Sequence, residues 1–140
     1  MATADLYAAL ADALREDSTL SSVSYIGRDT PIKKATPMIG IRGYRASPIM
    51  GAYITYIKES FLVITAYSTS EVEAIKLADR VEELFHDADG GNTGYFDFST
   101  DEIHVYSSRY SNRPQEAYSK DPNFWACPVI VSVIWRPAGC

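Results

Sequence analysis

Apolar and polar positions along this chain repeat with two different periods, and the switches between them mark out its elements. Leu6, Ala9, Leu10, Ala13 and Leu14 follow the i, i+3, i+4, i+7, i+8 spacing of one helix face. This predicts a first helix over Ala4–Glu16, with Thr3 as N-cap and Asp5 in the first turn, where unpaired N–H groups favour a carboxylate. A short strand at Val23–Ile26 follows, closed by Gly27, and Arg28–Pro37 with its two prolines reads as an exposed loop. Met38–Arg45 and Ala52–Lys58 are β-rich and flank Ala46–Gly51, the pattern of a hairpin with a long tip. Phe61–Tyr67 continues the meander after a tight turn at Glu59 and Ser60.

In Phe61–Tyr67 both alternating sets are apolar, Phe61 and Val63 against Leu62, Ile64 and Ala66, as expected of a strand covered on both faces in mid-sheet. The period then changes to that of a helix. Ser68 and Glu71 match a capping box, and Tyr67 with Val72 fits a hydrophobic staple. Ala74, Leu77, Ala78, Val81, Leu84 and Phe85 form the inward stripe, while Glu73, Lys76, Asp79, Arg80 and Glu83 face water. Asp87–Thr93 ends this helix with glycines that tolerate positive φ. Two strands follow, Glu102–Tyr110 and Val129–Trp135, the latter with Val129, Val131, Val133 and Trp135 on one face. Ser111–Pro128 between them is predicted to be a long loop, of a length that carries function or orders on a partner. The order α-β-β-β-β-α-β-β predicts an α+β fold, with two main helices packed on a mostly antiparallel sheet of four to six strands.

At 140 residues the chain has the size of a single domain, 1–140, and 46% hydrophobic with 22% charged residues is a globular composition. The longest apolar runs, Phe61–Tyr67 and Pro128–Trp135, fall well short of the roughly 20 residues that span a bilayer, so no membrane is expected. The start, Met-Ala-Thr-Ala-Asp, has no basic region followed by an apolar stretch, and synthesis in the cytoplasm is expected. A formal net charge of −5 argues against the dense basic face that nonspecific nucleic-acid binding requires.

Reactive groups are sparse. Cys127 and Cys140 make neither a disulfide framework nor a zinc motif, and Cys127 beside an apolar strand reads as a small buried hydrophobe. His86 and His104 are far apart, and no Ser or Cys sits in a nucleophile elbow. Asp87–Asn92 resembles the opening of a calcium loop, yet its sixth position is Asn92 rather than Gly and its twelfth is Phe98 rather than Glu. Gly90, Gly91 and Gly94 follow a helix and precede a strand, the reverse of the order that aims N–H groups at a phosphate. Asp97, Asp101 and Glu102 read as solubilising carboxylates. No catalytic, cofactor or metal residue is assigned, and the chain is not expected to be an enzyme.

Surface apolarity says more. The predicted tip puts Pro48, Ile49 and Met50 where a monomer normally carries polar side chains, which marks it as a contact candidate. Tyr110 and Tyr118 supply large area with a polar handle, and Arg109, Arg113 and Lys120 gather positive charge against the sign of the whole chain. These eight residues are the candidate subunit or partner interface.

The order helix, β meander, helix, two strands, with ITAYSTSEVEAIKLADRVEELF in its middle, resembles the tail terminator and tail-completion proteins of long-tailed bacteriophages. The matching positions are Ala74, Ile75, Ala78, Asp79, Arg80, Val81, Leu84 and Phe85; topology extends over most of the chain, and the Ser111–Pro128 segment departs from the pattern. The resemblance implies a virion protein made in the host cytoplasm. It would form a homo-hexameric ring on the head-proximal end of the tail, contacting the tail tube protein on one side and the head connector or neck protein on the other. Genomic DNA would then pass through the lumen without specific binding. Six copies at −5 carry −30, and a lumen of that sign would repel phosphates. The rival readings are a head-tail connector or neck protein of the same particle, and a small-molecule-binding α/β domain with a deep polar pocket.

Overall fold

The computed structural model describes residues 2–28, 37–48, 57–85, 96–113, 118–121 and 124–137. Its elements are α1 (Ala2–Glu16), a 3-10 turn (Leu20–Ser22), β1 (Tyr25–Arg28), β2 (Met38–Pro48), β3 (Lys58–Ser68), α2 (Glu71–Phe85), β4 (Ile103–Asn112), β5 (Tyr118–Asp121) and β6 (Phe124–Pro137). The strands form one sheet in the order β1-β2-β3-β6-β4, with β5 also paired to β6. Among the described residues only β1 and β2 run parallel, and the other pairings are antiparallel. The α+β class and the mid-sheet place of Phe61–Tyr67 are as the sequence predicts.

Alternation decides the layers. Ile39 and Ile41 of β2, Leu62, Ile64 and Ala66 of β3, Ile103 and Val105 of β4, and Cys127, Val129, Val131, Val133 and Trp135 of β6 share one core with Leu6, Leu10 and Leu14 of α1 and Ala74, Leu77, Ala78 and Val81 of α2. Both helices therefore lie on the same face of the sheet. α2 lies along β3 and β6, whereas α1 crosses the strands. At its start Asp5 faces Glu102 beside β4, and the hydrogen bond that protonated Glu102 donates to Asp5, with the repulsion between the two carboxylates, raises the Glu102 pKa; at its end Arg15 donates to the Ile26 carbonyl of β1. Buried apolar area drives this packing, at about 25 cal/mol per Å².

The helix start at α2 differs from expectation in register. The cap is Ser70, whose Oγ accepts from Glu73 N–H at 3.3 Å; Ser68 Oγ accepts from Ser70 N–H at 3.1 Å and itself donates to the Glu73 carboxylate. Ser68 remains the last residue of β3, so the cap moves two residues on, and the Glu73 carboxylate accepts from the Ser68 hydroxyl rather than from the Ser70 N–H that a reciprocal box uses. Val72 is 60% exposed while Tyr67 is buried against Met38 and Ala126, so the predicted Tyr67–Val72 staple does not form. At α1, Thr3 falls inside the helix rather than before it.

The strand bounds correct three further expectations. β1 runs through Gly27 rather than ending at it. Glu59 and Ser60 are in β3, registered with Ser47 and Ala46, so no turn separates two strands there and the ladder of β2 simply continues. The predicted Ala52–Lys58 strand lies outside the described residues but for its last two, and Lys58 is the first residue of β3. Ser111–Pro128 is not one loop: β4 extends to Asn112, β5 occupies Tyr118–Asp121 and β6 begins at Phe124. Its Asn, Pro and Tyr content suggested a loop, but β6 offers a free edge beyond Ile130, and β5 takes it by pairing with Trp125 and Ala126.

Candidate interface and its supporting contacts

Two ionic clips fasten the outer elements to α2. Asp17, just after α1, accepts from Arg80 Nε at 3.2 and 3.1 Å and from Nη2 at 2.6 Å, and also caps the 3-10 turn by accepting from Thr19 and Leu20 N–H at 3.2 Å each. The Arg80 hydrogen bonds hold the Asp17 carboxyl below its ordinary pKa, outweighing the opposing effect of burial. Arg113, just beyond β4, donates from Nη1 to Asp79 at 2.5 Å and Glu82 at 3.4 Å, and from Nη2 to Cys127 Sγ at 2.9 Å. Burial pulls the Arg113 pKa down, but the bonds to Asp79 and Cys127 more than restore it, so the guanidinium stays charged. Cys127 is fully buried in β6, as expected, yet its partnership with Arg113 was invisible in sequence because the two meet only when β4 and β6 pair beneath α2.

The predicted interface residues scatter. Arg109 is exposed on β4, registered with Ser132, on the face away from the helices. Tyr110, its neighbour, turns to the opposite face and packs on the core. Arg113 is held by α2 carboxylates, so its charge is compensated within the chain and does not join a free basic loop. Tyr118 and Lys120 are in β5, and Pro48 is the last residue of β2. Ile49, Met50, His86 and the Asp87–Thr93 turn lie outside the described residues.

Sequence reasoning overlooked a cluster at the far end of the sheet. His104 and Tyr106 stack edge to face at 4.6 Å, and Arg136 Nε donates to the Tyr106 hydroxyl at 2.7 Å. The signal was the His-x-Tyr alternation that puts both rings on one face of β4. On the helix side, Trp135 Nε1 donates to Ser60 Oγ at 2.9 Å inside the core.

Charge sorts by layer more sharply than the total suggests. α1 carries three carboxylates and one arginine, and α2 carries five carboxylates and two basic residues, so the helices hold a net −5, equal to that of the whole chain. The six strands carry seven basic residues against Glu59 and Asp121, a net +5.

Among the described residues no group of three or more His, Cys, Asp or Glu converges to hold a metal ion, and no helix is long and apolar enough to cross a membrane. A cavity of about 260 Å³ beside Arg15, Ser21 and Tyr25 is smaller than most ligand sites, and two residues of its lining, Arg15 and Ile26, are bonded to each other.

No protein-family model and no curated protein matches the sequence. Among solved structures, a chain of the "Virion of native gene transfer agent (GTA) particle" superposes with a TM-score of 0.65 over 94% of this chain and 94% of that one, at 12% identity. The two chains share a fold. At that identity the likeness is one of backbone course, and it runs from end to end of both chains.

Proposed function

We propose that this chain is a structural subunit of a phage-like virion, closing into a homo-hexameric ring on the head-proximal end of the tail tube, where it ends tube growth and joins the tail to the head connector. The observation that carries the reading is the end-to-end likeness to a chain of a gene transfer agent virion, with 94% of each chain covered. The charge segregation between helices and strands supports it, since a ring subunit needs two different, complementary patches. Its partners are then other copies of itself, the tail tube protein on one side and the neck or connector protein on the other, with DNA passing through the lumen unbound.

Negative-stain imaging of the purified protein, alone and mixed with assembled tail tubes, tests this. Six-fold rings, and tubes bearing one ring at a single end, are the expected result. Monomers that neither form rings nor cap tubes would overturn it. Rings that bind isolated head connectors but never tubes would shift the assignment to a neck protein.

A further inference from the structure

The layer with the helices and the opposite face of the sheet carry opposite sign. Beyond the helices, α1 and α2 present Asp12, Glu16, Glu71, Glu73 and Glu83 to solvent. On the other side, Arg42 of β2 and Arg109 of β4 are exposed and Arg136 of β6 is half-buried; all three alternate with residues of the helix-side core, which places them on the far face. Glu59, bonded to Ser132, is the one carboxylate on the far face of β2, β3, β4 and β6 among the described residues. A slab of this kind repels its own image and attracts its opposite face.

We propose that adjacent copies associate head-to-tail, with the basic far face of one sheet, at Arg42, Arg109 and Arg136, set against the acidic outer surface of α1 and α2 in the next copy, at Glu16, Glu71 and Glu83. The proposal rests on the reading of the chain as a ring subunit and adds which surfaces meet. Like faces carry like charge, so a back-to-back dimer is disfavoured, whereas opposite faces make a heterologous contact that yields a ring when its rotation closes. Apolar groups stand ready on both sides, Val72 on α2 and the partly exposed Phe61 and Ile134 on the sheet. The charges select register and partner, and the apolar groups supply dry contact. A nucleic acid is the weaker occupant, because three arginines beside an acidic layer fall short of the phosphate contacts that hold a duplex.

Charge exchange tests the contact. One variant reverses the sheet face, Arg42→Glu with Arg109→Glu; a second reverses the helix face, Glu16→Lys with Glu83→Lys. None of these four side chains is in the core, and thermal melts establish that both variants fold. Mass is measured by sedimentation in low salt. Each variant alone is expected to lose self-association by about a hundredfold, and an equimolar mixture to regain it, because alternating copies then present opposite signs at every contact. Native-sized rings from either variant alone would overturn this contact and leave the ring reading standing. A native protein that is monomeric in low salt and does not cap tubes would overturn both. Loss of duplex DNA binding by the sheet-face variant, with its mass unchanged, would make the basic face a nucleic-acid surface and overturn the proposal.

Discussion

The two faces of this sheet are built by the same strands and yet obey different rules. On the helix side Val129, Val131, Val133 and Trp135 of β6 are fully buried, as are Ile39, Ile41, Ile103 and Val105. The far side is mixed: Met38, Val63, Tyr67, Ala126 and Ile130 are buried there too, while Arg42 and Arg109 are exposed and Phe61, Ser132 and Ile134 remain partly exposed. Period-2 alternation creates both faces, and the helices, with their 3.6-residue stripes, close the near one. The far face keeps exposed positions at Arg42 and Arg109, whose sign is opposite to that of the helices.

Substitutions on neighbouring residues of β6 would break this comparison most directly. Trp135→Ala removes a fully buried ring and the partner of Ser60, and is expected to lower stability by about 4 kcal/mol in urea unfolding, whereas Ile134→Ala, one residue away on the far face, costs about 1 kcal/mol. Equal losses would mean that the far face is as closed as the near one.

A smaller effect is expected at the clip that holds α1 to α2. The Asp17 pKa is lowered in the folded protein, so between its folded and unfolded values the unfolded chain binds more protons, and stability rises with pH. The contribution is complete above the ordinary Asp value of 3.8 and fades as pH falls through the folded value. Asp17→Asn is expected to lose about 2 kcal/mol at pH 7, with the gap to the native protein narrowing below pH of about 4. A gap independent of pH would show that the Asp17 charge contributes nothing, through Arg80 or through the caps on Thr19 and Leu20.

The smallest change sharpens the account of how β3 hands over to α2. Ser70→Ala should cost about 1 kcal/mol by removing the cap on Glu73 N–H, while Glu71→Gln should leave thermal stability within about 0.5 kcal/mol, because Glu71 is exposed and makes none of the bonds of the Ser68–Ser70–Glu73 cap. The reverse ranking would restore Ser68 and Glu71 as the box.

Much of the fold was legible because strong periodicity survives folding. The α2 stripe and the β6 alternation were both readable from single windows of sequence, and both occupy the predicted faces. The misreadings share a cause. Glu59 and Ser60 look like a turn because they are polar, yet ladder bonds to Ser47 and Ala46 carry the strand through them. The Ser111–Pro128 segment lacks periodicity, and its strand β5 exists only because β6 offers an unpaired edge. Of the eight predicted interface residues, Arg109 shows on the far face, Tyr110 turns to the core and Arg113 is neutralised by Asp79 and Glu82. Partners that far apart in the chain leave no local trace.

Local pattern was thus sufficient for the element types, for the two helices with their inward stripes, and for the central place of Phe61–Tyr67, because each depends on the spacing of neighbours within a few turns or residues. Strand order, the sharing of one face by both helices, the Arg80 and Arg113 clips and the opposed charge of the two layers were decided by folding alone. Each of these joins residues tens of positions apart, and such pairings are set by the competition of whole surfaces for burial rather than by any one stretch of sequence.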